Sequence, residues 1–243
     1  MKHFFFVLLC AAVMASCTKP SSGGTGTLSL SVRTQEEVSD AVKSNLTDYV
    51  EALPGKDDFT LTVSTSTGQQ AWSGLLSEWP KDLRLLVGTY NLSATCGSDE
   101  EEGFAKPRYA AASEIEIAKD DTTRVVMTAS LANCMVKVVR TDAFKAFFPQ
   151  SDLSLTTGNG TVIPMPATET RPAFVEAWKF TLAGSLVTPG GTSYDFSRSF
   201  ESGLNPATFY TLQLDVETAG TVSVLITFDN TVETVSLEED LYE

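Results

Sequence analysis

Beyond residue 26, short runs of alternating apolar and polar residues dominate the chain, separated by Gly, Pro, Asp and Asn. A period of two marks strands that bury one face, because successive side chains leave a strand on opposite sides. A first set covers residues 27–32 (TLSLSV), 58–64, 82–87, 89–96, 113–118, 122–129 and 134–139; a second covers 152–157, 177–183, 193–200, 208–216, 221–228 and 231–237. Leu28, Leu30 and Val32 share a face in the first set, as do Phe59, Leu61 and Val63. In the second, Tyr210, Leu212 and Leu214 lie opposite Phe209, Thr211 and Gln213. The pattern predicts an all-β protein of two β-sandwich domains, 28–132 and 133–243, with little linker where one gives way to the other.

Two stretches carry a helical period instead. Val38, Val42, Leu46 and Val50 recur every fourth residue, with Thr34 and Glu37 spaced as a capping box, and predict a helix from Thr34 to about Val50. Thr141 or Asp142 opens a shorter one, in which Phe144, Phe147 and Phe148 share a face expected to plug the end of the second sandwich.

The N-terminus reads MKHFFFVLLCAAVMASC, with an apolar run over residues 4–15. Such a run falls short of the roughly 20 residues that span a bilayer, and it predicts a signal peptide over residues 1–16. Residues 14–17 (MASC) resemble a lipobox, in which the cysteine becomes the acylated first residue of the mature chain. Cys17 is therefore the expected lipidation site. The Ser/Gly-rich residues after it make 17–27 a lipid anchor and flexible tether.

Charge narrows the partners. With the leader and its Lys2 gone, 16 basic side chains face 31 acidic ones, a net charge of −15. A chain this acidic repels nucleic acid and anionic lipid surfaces. Of the four cysteines, Cys10 lies in the leader and Cys17 in the lipobox, which leaves Cys96 and Cys134. Both sit on predicted inward faces; the oxidising compartment that the leader implies permits a disulfide between them, and two buried free thiols are the plainer reading.

Catalytic chemistry finds little support. The only histidine, His3, lies in the leader, so Ser-His-Asp and Cys-His mechanisms and histidine-ligated zinc have no imidazole to use. Neither a G-x-G-x-x-G nor a P-loop occurs, no cysteines are spaced for a metal, and no cofactor is expected. Paired carboxylates suffice for glycoside hydrolysis, but no spacing among the 31 acids marks a pair. The acidic run Asp99-Glu100-Glu101-Glu102 lacks the alternation of a calcium loop and is expected to be solvated. For recognition the candidates are Trp72, Trp79 and Trp178, whose rings can stack on sugars; closing the end of a sandwich is the plainer role of the first two.

The lipobox, the stretch LLVGTYNLSATCG, the acidic run with FAKPRYAAASEIEIAKDDTTRVVMTASLANCMVKV after it, and DAFKAFF together resemble a large group of Bacteroidota lipoproteins known only as a domain of unknown function. That group is similar in turn to fimbrillins. The resemblance implies two transthyretin-like, Greek-key sandwiches, export as an outer-membrane lipoprotein, and a binding or adhesion role with pilin-like subunits as partners. It also implies a processing site at Arg33, behind the first strand, where cutting would open a groove for a neighbour's strand. Asp121-Thr122-Thr123 resembles the O-glycosylation motif of the same bacteria, at Thr122. The expected function is a non-catalytic, membrane-anchored adhesion protein of the cell envelope, and the alternative is a carbohydrate-binding lipoprotein that captures glycans.

Overall fold

A computed structural model of the chain describes residues 23–34, 49, 54–218, 221–228, 231–232 and 239–240. The leader, Cys17 and the helix expected after Thr34 lie outside the described residues, apart from Thr34 and Tyr49. Strands make up most of what is described, with almost no helix.

The N-terminal half contributes β1 (Thr25–Thr34), β2 (Thr60–Thr65), β3 (Gln70–Leu75), β4 (Leu83–Leu86), β5 (Gly88–Cys96), β7 (Tyr109–Ile117) and β8 (Thr122–Leu131), ordered β3-β2-β5-β7-β8-β1-β4. Strands β7 and β8 pair only at Tyr109 with Leu131 and Ala110 with Ser130. Beyond that corner the sheet turns back on itself. Leu61, Val63 and Leu92 from one flank and Leu28, Val32 and Met127 from the other therefore fall into one core.

The C-terminal half holds β9 (Cys134–Arg140), α1 (Asp142–Phe147), β10 (Gln150–Thr157), β11 (Val162–Pro164), β12 (Ala173–Val175), β13 (Phe180–Val187), β14 (Ser193–Phe200), β15 (Phe209–Thr218), β16 (Thr221–Phe228), β17 (Thr231–Val232) and β18 (Glu239–Asp240). A four-stranded sheet, β11-β10-β13-β14, shares a second core with a larger sheet that runs β17-β16-β15-β9-β12 and carries β18 beside β16. Tyr210, Leu212 and Leu214 face that core, as their alternation predicts. Thr141 caps α1 by accepting from the Phe144 amide at 3.1 Å, and Phe144 and Phe148 are buried, so the short aromatic helix closes this core as expected.

Two features depart from the sequence reading. First, the acidic run is not wholly solvated: Asp99, Glu100 and Glu101 are exposed, but Glu102 is half-buried. The residues after it, Gly103 and Phe104, form a two-residue strand, β6, on the far edge of the C-terminal sheet beside β12. Second, Trp72 lies within strand β3, a stretch in which the alternation assigned no strand. Of the two readings left open for the cysteines, the structure has the free thiols. Cys134 is a buried thiol of the C-terminal core and Cys96 a half-buried thiol against the N-terminal one, so each serves its own core as a small apolar residue.

Candidate functional site

Strand β1 is the element on which the expected chemistry converges. It is not an edge: β8 lies parallel to it over eight register pairs, and β4 lies antiparallel over four on the other side. Leu28 and Val32 reach into the core at 0% and 5% exposure. Its N-terminal end is pinned by backbone bonds from Thr27 to Asp121 and from Asp120 to Thr25, both 2.9 Å. Gly26 fits so closely that a Cβ there would overlap the Ala118 carbonyl oxygen.

Arg33 stands one residue from the end of β1, exposed, with its Nε donating to Thr128 Oγ1 at 3.3 Å. The first strand thus sits in its own sheet, in a slot bounded on both sides by paired strands. Burying two aliphatic side chains of this size stabilises the seat by about 1.5–3 kcal/mol each. A vacated slot would leave two rows of N–H and C=O groups unpaired.

The three tryptophans do not form one site. Trp72 and Trp79 meet edge to face, centroids 4.8 Å apart, and both pack half-buried on the N-terminal core. Trp178 is 50% exposed, ahead of β13. It lies against Gly158, where any side chain would overlap the indole, and Lys179 Nζ stands 4.7 Å from its ring centroid. Thr122 is exposed at the start of β8, its amide donating to Asp121 Oδ1 at 2.7 Å.

A polar cluster joins the two halves, and sequence reasoning missed it. Arg108 grips Glu176 with both arms, Nε to Oε1 at 2.7 Å and Nη2 to Oε2 at 2.6 Å. This bond holds the guanidinium above its ordinary pKa, against the opposing effect of burial. Glu102 accepts from the Glu176 amide at 2.8 Å and from the Thr157 hydroxyl. Asn133, fully buried at the change-over, accepts from the Arg108 amide and donates to the Lys106 carbonyl. Acids spread along a chain give no sequence signal of such pairing; only the burial of β6 reveals it. Among the described residues no three of His, Cys, Asp and Glu are grouped to hold a metal, and no helix is long and apolar enough to cross a membrane.

No curated protein matches the chain. Solved structures with a similar course include one from Bacteroides thetaiotaomicron assigned by name alone to polysaccharide binding, 10% identical with a TM-score of 0.47, covering 87% of this chain and 98% of that one. A Bacteroides eggerthii protein assigned by name alone to cell adhesion is 10% identical with a TM-score of 0.42, covering 86% and 96%. The fimbrial anchor protein Mfa2 from Porphyromonas gingivalis is 12% identical with a TM-score of 0.40, covering 87% and 100%. Residues 24–242 match the model of the domain of unknown function DUF4493, nearly the whole of the chain, which therefore belongs to that family.

Proposed function

We propose that this protein is a non-catalytic adhesion or assembly subunit of the bacterial cell envelope, held to the outer membrane by lipid on Cys17 and organised as two sandwich domains, 28–132 and 133–243. The observation that carries the assembly reading is the seat of β1. An N-terminal strand lodged between two others, with an exposed arginine at its end, is a strand that a protease can free and a donor can replace. The retained chain has no imidazole, which supports a role in binding over turnover. Lipid is tested by mass spectrometry of membrane-extracted protein, where a diacylglyceryl adduct on Cys17 should vanish in Cys17→Ala.

Strand exchange is tested by cutting the folded chain with an arginine-specific protease and adding a synthetic TLSLSV peptide. Cleavage after Arg33, loss of the N-terminal fragment and uptake of the peptide into a folded product support it. A nicked chain that keeps its fragment, or that unfolds, ends the pilin-like reading.

One observation favours the second reading, glycan capture: Trp178 offers an exposed indole, whereas Trp72 and Trp79 serve the core. On a polysaccharide array, Trp178→Ala should abolish binding while leaving the fold intact. A glycan on Thr122 is expected as an added sugar mass on the peptide that contains it.

A further inference from the structure

The two outer faces of the N-terminal sandwich carry opposite charge. On the face of β8, β1 and β4, the outward positions are Ser, Thr, two apolar residues and three arginines: Arg33, Arg84 and Arg124. No lysine and no carboxylate lies among them. In a chain of net charge −14 such a face is exceptional. Arg84 and Arg124 flank β1 from either side, opposite Thr27 and Ser29, so they stand roughly 10 Å apart across two strand spacings. Among the described residues none of the three is ion-paired; Arg84 donates to Thr25 Oγ1 at 3.1 Å, as Arg33 does to Thr128, which lays both guanidinium groups along the sheet. Leu86 and Val126, 63% and 60% exposed, stand on the same face.

On the opposite face, formed by β3, β2, β5 and β7, those strands contain no lysine or arginine. Glu114 and Glu116 project from β7 beside Asn91 and Thr89 of β5. Ser64, Ser93 and Ala112 are small enough to leave a shallow trough of about 470 Å³ along the sheet, with Glu114 on its rim. Leu75, 43% exposed, belongs to this face as well. Arginine and apolar residues without lysine or carboxylates mark protein interfaces and not ordinary solvated surface.

The geometry points to stacking of copies of this chain, the arginine face of one N-terminal sandwich on the glutamate face of the next. The contact is heterologous, so each copy offers both halves of it and a row can grow without closing. It uses sheet faces with β1 seated at the centre of one of them, so it is tested on the uncut chain, where strand exchange has not taken place. A face three strands wide covers roughly 400 Å² per copy, about half of a standard interface, so the association is weak and needs the density of an envelope.

The test is made on the full chain in its native envelope, with a photoreactive benzophenone amino acid at Val126. Illumination should give a species of twice the chain mass whose crosslink maps to β2, β3, β5 or β7. Arg124→Glu should lower its yield about tenfold, and pairing that change with Glu114→Arg should restore it. A crosslink confined to lipid, to lipopolysaccharide or to a different protein would overturn the inference. So would no crosslink, one joining like faces, or a failure of the paired exchange. Thr122 lies on the arginine face, opposite Thr27, so copies joined by the crosslink should carry no sugar there, and a sugar on Thr122 within the crosslinked species would overturn the inference.

Discussion

Met135 and Phe174 are partners across β9 and β12 of the C-terminal sheet, yet both side chains are buried in the N-terminal core. Their neighbours Cys134, Val136, Ala173 and Val175 point the other way, into the C-terminal core. One sheet is thus apolar on both faces at this place, and the two cores share it.

Phe174→Ala should therefore cost about 3–5 kcal/mol, as for a fully buried aromatic. It should also uncouple the two halves, because Phe174 fills the N-terminal core from a sheet of the C-terminal half. Unfolding in urea, followed by probes in each half, should show one coincident transition before the change and two after it. Separate transitions in the unaltered chain would refute the shared layer.

Much of this was legible beforehand. Alternation located most of the long strands and the correct buried faces, because each of those strands covers one core only. It failed where strands are two or three residues long, as in β6 and β12, for no period can be read there. In β9 the unbroken burial of Cys134, Met135 and Val136 is the mark of a doubly covered strand, visible in sequence as CMV but equally readable as alternation. The candidate site was legible only in part. Arg33 and the tryptophans are residue types that attract notice, whereas Arg108, Glu102 and Glu176 are ordinary charges made significant by where β6 crosses over.

The Arg108–Glu176 pair lies at 19% and 16% side-chain exposure, and removing one partner leaves the other poorly solvated. Glu176→Gln should cost about 2–3 kcal/mol, less than the 3–5 of a fully buried pair. The exposed pair of Lys106 and Glu101, at 2.8 Å, should be worth no more than ~0.5 kcal/mol, and Lys106→Ala should leave the midpoint nearly unmoved. Chemical denaturation of the two variants side by side checks the contrast; equal effects would show that the junction is not specially dependent on Arg108.

Burial pushes the Cys134 thiol up to about 12, and burial followed by the nearby Asp58 raises that of Cys96. Thiolate is the reactive form, so both should alkylate slowly, Cys134 more slowly still. Timed labelling of the folded protein followed by peptide mass mapping should find Cys96 modified first. A Cys96–Cys134 crosslinked peptide without reductant would contradict the free thiols.

Glu169 is held down to about 2, foremost by the hydrogen bond from the Arg171 guanidinium, which itself lies 4.9 Å over the Phe104 ring. A carboxyl lowered on folding stabilises the fold fully above the ordinary carboxylate range, and loses that contribution as pH falls from there through about 2. Acid should thus weaken the hold on β6 before it reaches the cores. Protection of the Gly103 and Phe104 amides, taken relative to the exchange rate of an unstructured chain at the same pH, should fall between pH 4.5 and 2.5, and Glu169→Gln should flatten that dependence. Unchanged protection across this window would separate Glu169 from the seating of β6.

Gly26 decides how firmly β1 is seated. Its Cα faces the Ala118 carbonyl, part of the turn between β7 and β8, so the smallest side chain forces backbone to move on one side or the other. Gly26→Ala should cost about 1–3 kcal/mol by overpacking, and the cost falls on β1 before the rest of the sheet. Amides of Leu28 and Val32 should lose protection in hydrogen exchange while those of β5 and β7 keep theirs. The same variant, nicked after Arg33, should shed its N-terminal fragment faster than the parent chain. If β1 stays protected and the fragment leaves no sooner, the strand is fixed by its long ladder with β8 and not by the fit at its start, and a donor would have to displace all eight register pairs at once.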